Sequence, residues 1–265
     1  MLFAGIDLGS RTIKIVLIDG NGKDIVSSGA VDQGIKQSER ADELFEKVLF
    51  YTGASRADVG KIVATGYGRN AISWADTTVT EITCQARGTR QGHPDARTIV
   101  DIGGQDSKVI SLDKNGAVRD FVMNDRCASG TGRFIEIVAQ RLERGIDEVG
   151  FMAARAVGAS IISSMCAVFA ESEIVGLLAA GEPPENIIAG VEKSIAKRVA
   201  SMAGRKVEEP VIFTGGVALV PGMKEALAEA FESAITVAER PRLTAALGAA
   251  LLAAGRSEIY AKNIK

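Results

Sequence analysis

The opening segment alternates as strands do: Leu2 to Asp7, then Thr12 to Ile18, with a third run from Asp24 to Ser28. Asp19-Gly20-Asn21-Gly22, set between apolar runs, is a strong hairpin signal. The same arrangement returns later in the chain. Asp7, Gly9, Lys14, Asp19, Asn21 and Gly22 match Asp101, Gly103, Lys108, Asp113, Asn115 and Gly116, every pair separated by the spacing from Asp7 to Asp101. Six identities in register predict an internal repeat, each half opening strand–turn–strand–turn–strand.

After each strand triplet the apolar period lengthens to that of a helix. Ser38 to Thr52 places Leu44, Phe45, Val48 and Leu49 on one face, with Ser38 as the expected N-cap. In the second half Gly130-Thr131-Gly132 leads into Phe134, Ile135, Val138 and Leu142. Further strands are expected at Lys61 to Thr65 and Val211 to Thr214. Further helices are expected at Ala167 to Ala180, Pro184 to Met202, Pro221 to Glu232 and Thr244 to Ala254. Strands alternating with helices make this an α/β chain. The division expected is 1–93 plus a C-terminal helix, 244–265, as subdomain I, and 94–243 as subdomain II.

Composition narrows the function. The chain has 265 residues, 46% hydrophobic and 24% charged, with a formal net charge of -2. That is the profile of a soluble globular enzyme, with no basic stripe for nucleic acid. The N-terminus enters a strand directly, so no signal peptide is expected. The most apolar stretches, Val157 to Val168 and Leu243 to Ala254, are short or interrupted, and no membrane span is expected. Three widely spaced cysteines make no disulfide framework. A cytoplasmic protein with free thiols is the expectation.

Asp7-Leu8-Gly9-Ser10-Arg11-Thr12 sets a carboxylate at a strand end, followed by a glycine turn. Such a turn presents backbone N–H groups to a phosphate, and glycine permits close approach. The carboxylate suits Mg²⁺, held mostly through water. Asp101-Ile102-Gly103-Gly104-Gln105-Asp106 repeats the arrangement, and Thr214-Gly215-Gly216-Val217 adds a third glycine turn suited to a nucleoside. Two acidic turns facing each other would clamp a polyphosphate. Taken together they resemble the actin-like ATPase superfamily, which includes acetate and sugar kinases, actin and the heat-shock chaperone ATPases. The resemblance implies a duplicated actin-like, ribonuclease H-like fold: two subdomains with mixed sheets around a cleft that holds Mg-ATP. Asp7, Asp101 and Gln105 are the catalytic candidates, and which carboxylate positions the attacking water stays open.

Cys127 and Cys166 each stand just before an expected helix, where a thiol ionises more easily and becomes a better metal ligand. Spacing alone favours reading both as small buried hydrophobes. A [4Fe–4S] cluster takes four thiolates, so two such cysteines per chain would make a whole site only in a two-fold dimer. Four segments make the resemblance specific: Ala64 to Asn70, Asp101 to Asp106, Met123 to Phe134, and Val168 to Glu173. They are similar to the activator family of 2-hydroxyacyl-CoA dehydratases, which includes the ATP-binding subunits of benzoyl-CoA reductase. The resemblance implies a homodimer with one [4Fe–4S] cluster at the subunit interface, held by Cys127 and Cys166 of both chains. It implies ATP hydrolysis driving one low-potential electron into a partner iron–sulfur reductase or 2-hydroxyacyl-CoA dehydratase, with ferredoxin or flavodoxin as donor. The nucleotide contacts it implies are Ser10, Arg11, Thr12, Ile13, Lys14, Gly104, Ser129, Gly130, Thr131, Gly132, Glu136, Gly215, Gly216 and Val217. Gly9 and Gly103 join them as the turn glycines.

Other features carry less. Cys84 is expected in a core, and His93, the single histidine, supports neither a His-rich zinc site nor a hydrolase triad. Trp74 reads as packing. Glu171 and Glu173 either complement a helix dipole or belong to a dimer or partner surface. A small-molecule kinase of the same superfamily is the main alternative function; it would need an acceptor pocket and leaves both cysteines without a task. A purely conformational, chaperone-like switch is a third.

Overall fold

The computed structural model describes residues 1–22, 24–163, 166–204 and 207–255. The last ten positions of the expected C-terminal segment, 256–265, lie outside the described residues. The chain divides into two compact units. One is built from Met1–Ala96, Leu112–Arg119 and the chain from Arg242 onward, the other from Arg97–Ser111 and Asp120–Pro241.

The first unit holds β1 (Leu2–Leu8), β2 (Thr12–Asp19), β3 (Ile25–Asp32), α1 (Gln37–Phe50), β4 (Val59–Thr65), β5 (Thr77–Thr78) and α2 (Glu81–Gly92). The second holds β6 (Thr98–Ile102), β7 (Ser107–Leu112), β8 (Val118–Asn124), α3 (Gly132–Arg141), α4 (Ile146–Ala153), α5 (Ala167–Ala179), α6 (Pro184–Ala203), β9 (Val211–Thr214), α7 (Met223–Phe231) and β10 (Ile235–Val237). The chain then returns to the first unit with α8 (Thr244–Ala253).

The two sheets have the same plan. Their orders are β3-β2-β1-β4-β5 and β8-β7-β6-β9-β10. In each, the first strand runs antiparallel to the second and parallel to the fourth. The repeat seen in the hairpins therefore extends to the whole topology.

β2 shows why its apolar run is continuous rather than alternating. Ile13, Ile15 and Leu17 face the α1 side with Phe45 and Val48, while Val16 and Ile18 face α8 with Ala246 and Ala250. A strand covered on both faces has no solvent side to keep polar. α2 and α8 pack backbone to backbone. A Cβ on Gly88 would lie 1.8 Å from the Thr244 carbonyl oxygen, and one on Gly248 would lie 1.8 Å from that of Cys84. In the second unit Phe134, Ile135 and Val138 of α3 join Val100 and Ile102 of β6 and Ile187, Val191 and Ile195 of α6. Phe134 is fully buried, and truncating such a side chain to alanine costs about 3–5 kcal/mol.

Two local expectations change. α1 starts at Gln37 after Lys36, without a side-chain cap, so Ser38 lies inside the first turn. α3 is capped by Thr131, whose hydroxyl accepts the Arg133 N–H at 3.3 Å. Cys127 therefore precedes a single 3-10 turn, Ala128–Gly130, and not α3 itself. Cys166 does sit at the N-cap of α5. Among the described residues no helix is long and apolar enough to cross a membrane.

Candidate functional site

In the first unit, strand register sets Asp7 opposite Lys14 on β2 and opposite Thr65 on β4. Lys14 Nζ reaches Asp7 Oδ2 at 2.9 Å. The turn closes through the Gly9 N–H, which donates to the Thr12 carbonyl at 3.1 Å. Beyond Thr65 the chain turns through Gly66 at φ +87, and a Cβ there would stand 2.4 Å from Asp7 Oδ1. Only glycine fits that approach. The Thr65 hydroxyl donates to the Val79 carbonyl at 2.9 Å, and among the described residues Asp7 Oδ1 has no hydrogen-bond partner. Asp7 is 3% exposed, so this oxygen is a buried acceptor that could take a ligand.

The second unit repeats the register: Asp101 lies opposite Lys108 and opposite Thr214. Its turn closes in the same way, with the Gly103 N–H donating to the Asp106 carbonyl at 2.9 Å. Gly215, the counterpart of Gly66, has φ +90, and a Cβ there would lie 2.2 Å from the Ile102 carbonyl oxygen. The side chains pair differently, however. Thr214 Oγ1 donates to Asp101 Oδ1 at 2.9 Å, and Lys108 Nζ lies 3.3 Å from Asp101 Oδ2 and 3.0 Å from Asp106 Oδ1. Lys108 is 1% exposed, a buried cation between two carboxylates.

The glycine turn of this hairpin is locked to the start of α3. The Gly132 N–H donates to the Gly103 carbonyl at 2.9 Å and the Arg133 N–H to the Gly104 carbonyl at 2.8 Å. Val217 lies against the same place, its Cγ2 3.0 Å from where a Gly132 Cβ would be. The Asp101 turn, the Ser129–Gly132 turn and the Gly215–Val217 turn thus form one continuous surface.

Cys127 belongs to that surface. Its Sγ lies 3.0 Å from Ser129 Oγ and 3.8 Å from Arg198 Nη1 on α6. Asn124 fixes the turn, accepting the Cys127 N–H at 3.0 Å and donating to the Cys127 carbonyl at 2.7 Å. Partial burial alone would push the Cys127 thiol up. The Ser129 hydroxyl and N–H and the Arg198 charge outweigh it and hold the thiol below the ordinary cysteine value. Cys84 is the opposite case: burial pushes it up to about 12, and it is an inert core thiol. Cys166 is exposed. The segment before it is tied to α5, because Glu173 accepts both the Ser163 N–H at 2.8 Å and the Ser163 hydroxyl at 2.7 Å. Glu171 pairs with Arg141 of α3.

The remaining sequence candidates are scattered by comparison. Ile13 is a core side chain at 0% exposure, so only its backbone is available to a ligand. Arg11, Gln105 and Gly216 are exposed, Ser10 and Thr12 half-buried, and Ser129, Gly130 and Thr131 buried. Glu136 pairs with Arg133 at 2.8 Å. The sequence reading missed Thr65 and Thr214 as a pair, and it missed Arg198. The threonines were detectable, since each precedes a glycine after an apolar strand.

The sequence profile of the BadF/BadG/BcrA/BcrD ATPase family matches residues 4–253. A 2-hydroxyisocaproyl-CoA dehydratase activator from Clostridioides difficile is 42% identical over 266 aligned positions, covering 100% of this chain and 99% of its own. An activator of lactoyl-CoA dehydratase from Anaerotignum propionicum is 45% identical, covering 96% of this chain and 97% of its own. The solved structure of the activator of the 2-hydroxyisocaproyl-CoA dehydratase from Clostridium difficile with bound ADPNP aligns over 100% of both chains, with TM-score 0.91 at 42% identity. An ethanolamine utilization protein, EutJ, from Carboxydothermus hydrogenoformans shares the fold at 17% identity, TM-score 0.65, over 95% of this chain and 90% of its own. The duplicated actin-like ATPase fold expected from the sequence is the fold found.

Proposed function

The chain belongs to the BadF/BadG/BcrA/BcrD ATPase family, and on that premise we propose that it is a cytoplasmic ATP-hydrolysing activator of a partner iron–sulfur reductase or 2-hydroxyacyl-CoA dehydratase. In this reading ATP and water become ADP and phosphate. One electron enters from a ferredoxin or flavodoxin, and the same electron leaves to the partner.

The observation that carries the reading is the 3.0 Å contact between Cys127 Sγ and Ser129 Oγ. It puts a candidate metal ligand in the same turn as a candidate phosphate loop, and that turn is locked to the Asp101 hairpin. Loss of a γ-phosphate there moves the support of Cys127 directly.

The residues present fit the groups implied. Asp7 Oδ1, buried and unpartnered, suits a Mg²⁺ ion held through water, with Lys14 fixing the other oxygen. Cys127 and Cys166, half-buried and exposed, are accessible thiols at turn and helix starts, and two chains supply the four that a [4Fe–4S] cluster takes. Val157, Ile161, Val168 and Phe169, which flank Cys166 in the sequence, are all exposed, Phe169 by 70%. Exposed apolar side chains of that kind suit a contact between two copies of the chain. When bound, the cluster would hold a single electron at low potential, within a range reaching about -700 mV.

Anaerobic purification tests the reading. A brown, oxygen-sensitive dimer with roughly two iron and two sulfide per chain is expected, and Cys166→Ser should lose them. A colourless protein without iron under strict anoxia would overturn it.

A further inference from the structure

Cys127 has a second neighbour that is not on its own turn. Arg198, on the last part of α6, places Nη1 3.8 Å from Cys127 Sγ. The same side chain lies across Gly130. An added Cβ at Gly130 would stand 3.1 Å from Arg198 Cδ and 3.4 Å from its Cγ. One side chain therefore rests its stem on the expected phosphate turn and aims its head at the expected cluster ligand. It also borders a cavity of about 400 Å³ lined by Ser160, Lys193 and Lys197.

We infer that Arg198 is a positioning residue that carries the state of the Ser129–Gly132 turn to the Cys127 sulfur through an N–H···S hydrogen bond. The inference rests on the electron-transfer reading above. A donor and a positive charge at a ligand sulfur stabilise the more negative, reduced state and raise the reduction potential; withdrawing them lowers it. Arginine suits the role because its planar, permanently charged head keeps a fixed donor geometry where a lysine offers a mobile point charge. Ser129 makes the shorter contact to the same sulfur but moves with the turn, whereas Arg198 is anchored on α6. The two contacts respond differently when the turn moves relative to the helix, and this difference is what converts nucleotide state into potential.

The test is a reductive titration of the anaerobic holoprotein followed by electron paramagnetic resonance, with ADP and then with a non-hydrolysable ATP analogue. Wild type is compared with Arg198→Gln and Arg198→Lys. The expected result is a more negative midpoint in Arg198→Gln and a smaller difference between the two nucleotide states, with Arg198→Lys displaced in the same direction. A wild-type midpoint and a wild-type nucleotide difference in Arg198→Gln overturn the inference. If that variant holds no cluster, Arg198→Lys is judged by the same criterion. Loss of the cluster from both variants also overturns it, because a tuning residue is dispensable for assembly. Absence of iron from wild type sinks the electron-transfer reading itself and is read separately by metal analysis.

Discussion

At the end of β1, Asp7 faces Lys14 on one side and Thr65 on the other; at the end of β6, Asp101 faces Lys108 and Thr214. The same backbone hydrogen bond closes each turn, Gly9 N–H to the Thr12 carbonyl and Gly103 N–H to the Asp106 carbonyl. The hydroxyls decide the difference. Thr65 gives its proton to a backbone carbonyl and leaves Asp7 Oδ1 unpartnered, while Thr214 gives its proton to Asp101. Asp101 is also tied to a buried lysine shared with Asp106. One repeat thus keeps an acceptor for a ligand, and the other uses its carboxylate to hold structure together. On this ground the proposed function expects Asp7, rather than Asp101, to serve a metal and the attacking water.

The largest effect expected from this asymmetry is on turnover. Asp7→Asn should lower the ATPase kcat by about 10²–10⁴-fold, the scale of a lost acid–base or water-positioning group, with folding stability little changed. Near-normal steady-state ATPase would break the comparison. A second unpartnered carboxylate oxygen sharpens it. Glu192 Oε1 on α6 also has no partner, but burial, with Glu225 nearby, raises this acid from 4.5 to about 8. Because the folded value is raised, its contribution to stability is complete below pH 4.5 and lost as pH rises through about 8. Glu192→Gln should remove that decline, on the order of 4 kcal/mol across the window, as read by urea unfolding at several pH values. A slope unchanged by the substitution would refute the assignment.

Asp101→Asn should act on the fold instead. It leaves Lys108 buried with one carboxylate fewer, at a cost of about 3 kcal/mol, measurable by chemical denaturation. If Asp101→Asn proved stable but inactive, the roles assigned to the two hairpins would be reversed. The smallest effect separates the threonines. Thr214→Val should cost about 1–2 kcal/mol by removing its hydrogen bond to Asp101 Oδ1, while Thr65→Val should leave Asp7 as it was and change turnover little.

How much of this was legible in the chain follows from where the repeat keeps its spacing. The hairpins share one spacing because nothing is inserted between strand and turn, so six positions aligned by counting. Thr65-Gly66 and Thr214-Gly215 are equally equivalent in space, yet counting cannot find them: α3 to α6 fill the second interval where the first holds only α1. α2 escaped the hydrophobic pattern because its buried face is Cys84, Ala86, Gly88 and Thr89, small residues chosen for close approach to α8 and not for apolar periodicity. Ser38 was a false cap because a helix start depends on backbone geometry that Lys36 satisfies without a side-chain bond. Arg198 could not be read at all, since its two contacts join positions far apart in sequence. The cysteines were legible as candidates, and the fold supplied what spacing could not, the hydroxyl that connects Cys127 to the Ser129–Gly132 turn.

The central claim is that the nucleotide bound at the second repeat is felt at Cys127. It is tested most directly by the electron paramagnetic resonance spectrum of the reduced anaerobic protein, recorded with ADP and with a non-hydrolysable ATP analogue. The account predicts two distinct spectra, in wild type and equally in Asp7→Asn, where binding persists without turnover. A reduced cluster whose spectrum is the same in both nucleotide states would contradict it.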